Sequence, residues 1–383
     1  MRVLFITRHY LEQKNGGSLG ARAYLDAFSS LYEDLTLLYP SRKNQSIAGF
    51  VNSRIKLIPC DDKRPLLVKG LDIYRGKLHR FASTLKQVLL ENLFDIIVFD
   101  HSILGAELLP IIEKYSCNAK LITIHCNVET IYNKDNPVSI LYRIPYTYFI
   151  GKAEQVCLNK SFLNLTVTKE DALYFNRKFN IKNIEYLGTF EYSCCEHYPI
   201  EEAHKSSDVL NLIISGSLGF PQTNSAIVSF LDKYYQIIKS VTPNVKLVIT
   251  GRNPSAKIIK LCSHDKSISL RANPVNIYDI IKGGDIYISP ISGGSGVKLR
   301  IMDGLKFGLP ILCHEASAKG YEDIISKQCM FTYNDEETFK NAYQQLLASM
   351  PSRKDVFDVF IHRFSFKSGT QRLREILLKY NLL

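Results

Sequence analysis

A steady rhythm narrows the choice of fold for this chain. Short apolar runs alternate with longer segments whose apolar positions step by three and four. A helix between two strands covers one face of a sheet and returns the next strand parallel to the last, so this rhythm predicts α/β layers with mostly parallel sheets. In the first half, Val3–Thr7, Leu35–Leu38, Ile55–Ile58, Asp95–Asp100, Leu121–Ile124 and Asn164–Thr168 read as strands. Leu19–Leu31, Leu71–Leu90, Leu141–Leu158 and Lys169–Phe179 read as helices. The helix 71–90 has its apolar stripe in Leu71, Tyr74, Leu78, Phe81, Leu85 and Val88.

The rhythm breaks once, between Glu191 and Asp208. This stretch carries Glu196, Glu201, Glu202, His197 and His204 and has no strand pattern, so it reads as a linker. A second α/β set follows: strand Val209–Ser215, helix Asn224–Ser240, then strands Val245–Thr250, Ile286–Ser289 and Pro310–Cys313. A helix from Val297 to Phe307, stopped by Gly308, is predicted between the last two strands. At 383 residues, two domains are the natural division.

The net charge of +11 asks for an anionic partner. The absence of a zinc finger, an RNP motif or a Lys/Arg block argues against nucleic acid. No apolar stretch has the length of a membrane span, and the opening apolar run is too short for a signal peptide. The nine scattered cysteines show no Cys-x-x-Cys spacing, which fits reduced thiols in the cytoplasm rather than disulfides or a zinc site.

Chemistry concentrates between Ile288 and Cys313. A strand ends at Pro290, the loop Gly293-Gly294-Ser295-Gly296 follows, and Lys298 and Arg300 stand in the expected first helical turn. Glycines let a diphosphate approach backbone N–H groups closely, and the neighbouring cations add charge-assisted hydrogen bonds. Asp303, one turn on, can accept hydrogen bonds from ribose hydroxyls.

This stretch resembles glycosyltransferase family 4, the group 1 glycosyltransferases. Its pattern is matched by Gly294, Ser295, Gly296, Val297, Lys298, Leu299, Arg300, Ile301, Met302, Asp303 and Gly304, then Gly308, Leu309 and Pro310. Gly216 to Ala226, with Gly219 in its loop, resembles the first strand–loop–helix of the family's donor domain. Val248-Ile249-Thr250-Gly251-Arg252-Asn253-Pro254 resembles its Gly-Arg-Asn-Pro segment. One departure stands out: where the wider family carries two glutamates eight positions apart, this chain has Ser295 and Asp303.

The resemblance implies a GT-B fold, in which two Rossmann-like domains face each other across a cleft. Residues 1–190 would bind the acceptor, 191–208 link, 209–350 bind the nucleotide sugar, and 351–383 cross back to the first domain. The last helix, Lys367–Tyr380, would bury Leu373, Ile376 and Leu377. The resemblance also implies a retaining transfer from a nucleoside-diphosphate sugar of UDP or GDP type, without a metal or other cofactor. The donor would meet Gly17, Gly219, Arg252, Gly294, Ser295, Gly296, Lys298, Leu299, Arg300 and Asp303. Lys298, Arg252 and His125 would carry the catalysis, with Lys298, Arg300 and the helix dipole neutralising the departing diphosphate.

Gly16, Gly17, His125 and Asn127 would meet the acceptor. His125 and Asn127 lie in Thr123-Ile124-His125-Cys126-Asn127-Val128-Glu129, which resembles the family's His-Asn-x-Glu segment. The C-terminal end of a parallel strand is where α/β folds place ligands. His101, also after a strand, is a weaker candidate. By analogy the acceptor is a saccharide or lipid-linked saccharide of bacterial surface polysaccharide synthesis. The alternative is a catalytically degenerate nucleotide-binding scaffold, which the Ser295 and Asp303 departures keep open. Finally, Lys63, Arg64, Lys69, Arg75, Lys77, Arg80 and Lys86 stand against the single acid Asp72, which predicts peripheral binding of 63–86 to an anionic membrane surface.

Overall fold

The computed structural model describes residues 1–13, 15–41, 47–61, 65–77, 80–133, 139–192, 208–293 and 296–383. The chain divides into two compact units, one of Met1–Glu191 with Phe366–Leu383, the other Tyr192–Ser365. Most of the expected linker, 193–207, lies outside the described residues.

The first unit runs β1 (Arg2–Ile6), α1 (Gly16–Leu31), β2 (Asp34–Ser41), β3 (Lys56–Asp61), α2 (Leu66–Tyr74), α3 (Ala82–Glu91) and β4 (Ile96–Phe99). It continues through α4 (Gly105–Tyr115), β5 (Lys120–His125), α5 (Glu129–Tyr132), α6 (Ile140–Lys160), β6 (Leu163–Thr166), α7 (Lys169–Phe179) and β7 (Ile184–Tyr186). The strands form one sheet in the order β3-β2-β1-β4-β5-β6-β7, with every pair parallel. Strands β1 and β4 are apolar and buried along nearly their whole length, as a sheet covered on both faces requires.

The second unit runs β8 (Leu210–Ser217), α8 (Pro221–Lys233), α9 (Tyr235–Val241), β9 (Val245–Arg252), α10 (Ala256–His264), β10 (Ile268–Ala272), α11 (Tyr278–Lys282) and β11 (Ile286–Ser289). It continues through α12 (Ile301–Leu305), β12 (Ile311–His314), α13 (Glu322–Ile325), β13 (Met330–Tyr333), α14 (Glu336–Ala348) and α15 (Arg353–Arg363). Its parallel sheet has the order β10-β9-β8-β11-β12-β13.

The last helix, α16 (Phe366–Lys379), belongs to the first unit and packs against α1. Leu373 and Leu377 are fully buried there, while Ile376 is only half-buried. The Tyr32 hydroxyl donates to the Leu382 carbonyl at 2.6 Å, and Arg372 Nε donates to the Leu187 carbonyl at 3.0 Å.

Three sequence expectations need correction. The helix expected over 71–90 is two helices: α2 ends at Tyr74 with Arg75 as its cap, and Gly76 follows at φ +70°, a conformation other residues seldom adopt. The stripe divides accordingly, with Phe81, Leu85 and Val88 in the core but Leu71 and Tyr74 more than half exposed, and Leu78 lies outside the described residues. The helix expected over 297–307 shortens to α12, because residues 298–303 turn tightly, Ile301 N reaching Lys298 O at 3.0 Å and Met302 N reaching Leu299 O at 3.0 Å. Gly304 inside this segment also weakens a longer helix. The helix expected over 224–240 is broken at Tyr234 into α8 and α9.

Candidate functional site

In each unit the chain starts mid-sheet, builds outward one way, then returns to build the other way. The reversal falls between β1 and β4 in the first unit and between β8 and β11 in the second. Open parallel sheets bind ligands beyond the strand C-termini at such a reversal. Most of the sequence-predicted site residues fall at these two places.

In the second unit, three loops leave neighbouring strand ends. The loop after β8 holds Gly219, the end of β9 holds Arg252, and Gly293 and Gly296 follow β11. Gly219 N donates to Arg252 O at 3.3 Å. A Cβ on Gly219 would lie 2.5 Å from the Asn253 carbonyl oxygen, so only glycine allows this approach. Gly293 faces Gln222 at the start of α8, where a Cβ would lie 3.8 Å from Nε2. Gly219 and Arg252 are exposed, and Leu299 and Arg300 are half-buried. Gly294 and Ser295 lie outside the described residues.

Lys298 precedes α12 rather than standing in its first turn, so the dipole expected behind the diphosphate shrinks to that of a five-residue helix. Its Nζ donates to Gly296 O at 3.2 Å. Burial, with the Lys319 charge nearby, pulls its pKa down to about 8. The Lys319 charge adds to the positive field around Gly296. Lys319 lies in the loop after β12 and carries no sequence signal, because its nearness to Lys298 arises only from the fold.

Asp303 differs from expectation. It is 2% exposed, its Oδ2 pairs with Arg300 at 2.9 Å, and its Oδ1 faces the buried Lys306 at 3.9 Å. A ribose hydroxyl would have to share this carboxylate with two cations.

In the first unit, the strand ends gather a buried polar cluster. The Thr7 hydroxyl donates to Asp100 Oδ2 at 2.6 Å and accepts from His9 N at 3.1 Å. Burial raises the Asp100 pKa to about 7, against the opposing pull of the Thr7 bond and the Arg8 charge. His101 Nδ1 accepts from Ile103 N, and its Nε2 faces Glu129 Oε1 at 3.1 Å. Burial alone would raise Glu129, but the charge and hydrogen bond of His101 hold it below its ordinary value. Both His101 nitrogens are therefore engaged, which suits a structural pair better than a proton acceptor.

His125 is fully buried, not lining a ligand surface as expected. Its Nε2 bonds Asn164 Oδ1 at 2.9 Å, and its ring packs on Phe175 with centroids 5.1 Å apart. Asn164 Nδ2 donates to Leu158 O, which turns Oδ1 toward the imidazole and places the ring proton on Nε2. Burial lowers the His125 pKa to about 4, so the ring is neutral at pH 7. In this position the ring has no exposed surface. Asn127 is half-buried, its Nδ2 3.5 Å from Glu129 Oε1.

Gly16 and Gly17 do not form a loop. Asn15 caps α1 by accepting from Ser18 N at 2.9 Å, which puts both exposed glycines in the first helical turn. A Cβ on Gly17 would lie 2.6 Å from His9 Cε1. Burial, then the charges of Arg8 and His101, push the His9 pKa well below the ordinary histidine value. Sequence reading passed over His9, although its place just after β1 was a usable signal.

Two parallel-sheet α/β units, of seven and six strands, define the GT-B fold. The solved structures that the chain resembles have this fold. A lipopolysaccharide outer core galactosyltransferase, WaaB in its apo form, is 11% identical, with a TM-score of 0.68 over 99% of both chains. Anabaena Alr3699/HepE in complex with UDP is 9% identical, with a TM-score of 0.68 over 99% of this chain and 100% of that one. WaaG, a glycosyltransferase involved in lipopolysaccharide biosynthesis, is 12% identical, with a TM-score of 0.66 over 98% and 99%. In sequence, the chain is 24% identical over 234 residues to an uncharacterized 44.6 kDa protein in the cps region of Klebsiella pneumoniae. That match spans 57% of this chain and 57% of the length of the relative. No family model matches the chain.

Proposed function

We propose that this chain is a glycosyltransferase moving a sugar from a nucleoside-diphosphate donor to a saccharide acceptor. The observation that carries the reading is the second unit's strand-end cluster. The Gly219 loop packs on the end of β9 there, exposed Arg252 stands beside Gly219, and the charge of Lys319 acts on half-buried Lys298. An anionic diphosphate suits this cluster, through Arg252, Lys298 and the backbone of the glycine loop, with Gly219 and Leu299 at its edges. UDP is the first nucleotide to test, since Anabaena Alr3699/HepE was solved with it; GDP is the second.

The transfer is retaining in this proposal: the departing diphosphate takes the acceptor proton on the face it leaves. The protein then supplies position and charge rather than a nucleophile. The acceptor is a lipid-linked saccharide of bacterial surface polysaccharide synthesis. It lies at the first unit's reversal, near Gly16, Gly17 and Asn127. His125 supports that strand end from beneath and acts through Asn164 rather than on the sugar.

The engagement of Asp303 by Arg300 and Lys306 favours a second reading, a nucleotide-binding scaffold without turnover. A donor screen separates the two. A nucleotide at 100 times its dissociation constant stabilises the protein by about 2.7 kcal/mol, which a thermal-shift assay reads. UDP-sugars or GDP-sugars are expected to raise the melting temperature and to be hydrolysed slowly without acceptor. A shift without hydrolysis or transfer selects the scaffold, and no shift with any nucleotide removes both readings.

A further inference from the structure

Helix α2 is built inside out. Its one acid, Asp72, is 6% exposed, while Leu67 is 84%, Leu71 58% and Tyr74 51% exposed. It lies on the first half of α6, where the Tyr74 hydroxyl donates to Leu141 O at 2.8 Å and the Tyr74 and Tyr142 rings meet edge to face at 6.1 Å. Helix α6 has the same inversion in its first turns. Ile140, Leu141, Ile144 and Tyr148 fall within one stripe at helical spacing, and each is more than half exposed. The opposite face carries Ile150, Ala153, Glu154 and Cys157 into the core. Further along the exposed stripe the residues become Lys152, Gln155 and Asn159. The apolar surface is therefore confined to the region where α6 meets α2. Single exposed apolar residues are ordinary, but a contiguous patch marks a docking surface.

Charge identifies the occupant. Residues 65–77 and 139–152 carry Lys69, Arg75, Lys77, Arg143 and Lys152 against one acid, the buried Asp72. Tyrosines edge the patch, as they do where protein meets the boundary of headgroups and acyl chains. An apolar centre with a one-signed basic rim fits an anionic lipid surface, which accepts apolar side chains and attracts lysine and arginine together. Among the described residues no helix is long and apolar enough to cross a membrane, so the attachment lies in the interface plane.

We infer that α2 and the first half of α6 form a docking face for an anionic membrane. Leu67, Leu71, Ile144 and Tyr148 enter the lipid, and Arg75, Lys77 and Arg143 meet the headgroups. This relocates the surface expected from 63–86: α3 turns its apolar side to the core, and α6, distant in sequence, takes its place.

The test is co-sedimentation with vesicles of phosphatidylethanolamine and phosphatidylglycerol, against vesicles of phosphatidylcholine, without nucleotide. A failed donor screen and a failed docking face thus remain distinguishable. The protein is expected to bind the anionic vesicles at low salt and to release as salt rises. Leu71→Ser/Ile144→Ser/Tyr148→Ser is expected to weaken binding at least tenfold with the melting temperature kept. Arg75→Glu/Lys77→Glu is expected to do the same, since each basic residue near such a surface contributes about fivefold. Lys246→Glu/Lys340→Glu, on the exposed surface of the second unit, is expected to bind like the wild type. Three results would overturn the inference: no binding to anionic vesicles, equal loss in the second-unit control, or equal binding by the serine variant. Self-association that the serine variant abolishes, with no vesicle binding, would also overturn it by assigning the face to a second copy of the chain.

Discussion

The two units share a topology yet treat charge in opposite ways at the same place. Beyond β8, β9 and β11, glycine loops leave Arg252 exposed and Lys298 half-buried beside another cation. Beyond β1, β4 and β5, the titratable groups are sunk and each has one polar contact, Asp100 with Thr7, His101 with Glu129 and His125 with Asn164, while Asp100 Oδ1 and His125 Nδ1 have no hydrogen-bond partner among the described residues. The second unit gathers cations beside its glycines. The first is a buried platform whose polar groups largely contact one another. Binding energy for an anion should therefore reside in the second unit, while fold stability is written into the first unit's strand ends.

Lys298→Ala tests this division most directly. Loss of one charge-stabilising group is expected to cost about 2–4 kcal/mol in the transition state, roughly 30- to 1000-fold in turnover. Donor affinity should fall with it. The melting temperature without nucleotide should hold or rise, because a crowded, partly desolvated cation has been removed. Unchanged donor affinity and rate would break the comparison at its strongest point.

His125→Ala tests the other side. Its ring is fully buried, and truncation leaves both a cavity and an unpaired Asn164 oxygen. The expected loss is on the order of 2–4 kcal/mol of stability. Molecules that remain folded should keep most of their turnover. The opposite split, with melting unchanged and turnover lost, would move His125 from the platform into direct contact with substrate.

These contrasts bear on what could be read in advance. The strand of residues 286–289 and the strand that ends in Gly251-Arg252 were legible because their apolar patterning depends on local sequence. The break at Gly76 was hidden by an apolar stripe that continues through it, although its two halves pack on different neighbours. The burial of His125 depends on Phe175 and Asn164, and the depression of Lys298 depends on Lys319. None of these partners is a near neighbour in sequence, so no motif reveals them. His9 against Gly17 is the intermediate case: both follow β1, but their contact exists only because Asn15 starts the helix where it does.

The smallest expected effect is the sharpest test of the second unit's charge. Lys298 sits at a pKa of about 8, below its ordinary 10.5, because burial and Lys319 both disfavour its charged form. A bound diphosphate favours that form, so the pKa rises in the complex and binding takes up protons. Affinity is then nearly fully present at pH 7 and below and falls as pH rises through about 8. The loss should be about twofold between pH 7 and 8, and approach tenfold by pH 9. A terminal phosphate has released its second proton by then, near pH ~6, so the nucleotide does not mask the trend. Titration calorimetry with UDP at pH 8, in two buffers of different ionisation heat, should show uptake of about half a proton. Lys298→Arg keeps its charge throughout this range and should flatten the profile. A wild-type affinity that stays level from pH 7 to 9 would mean that the diphosphate does not lie against Lys298, and the exposed cations at Arg252 would have to hold it without that lysine.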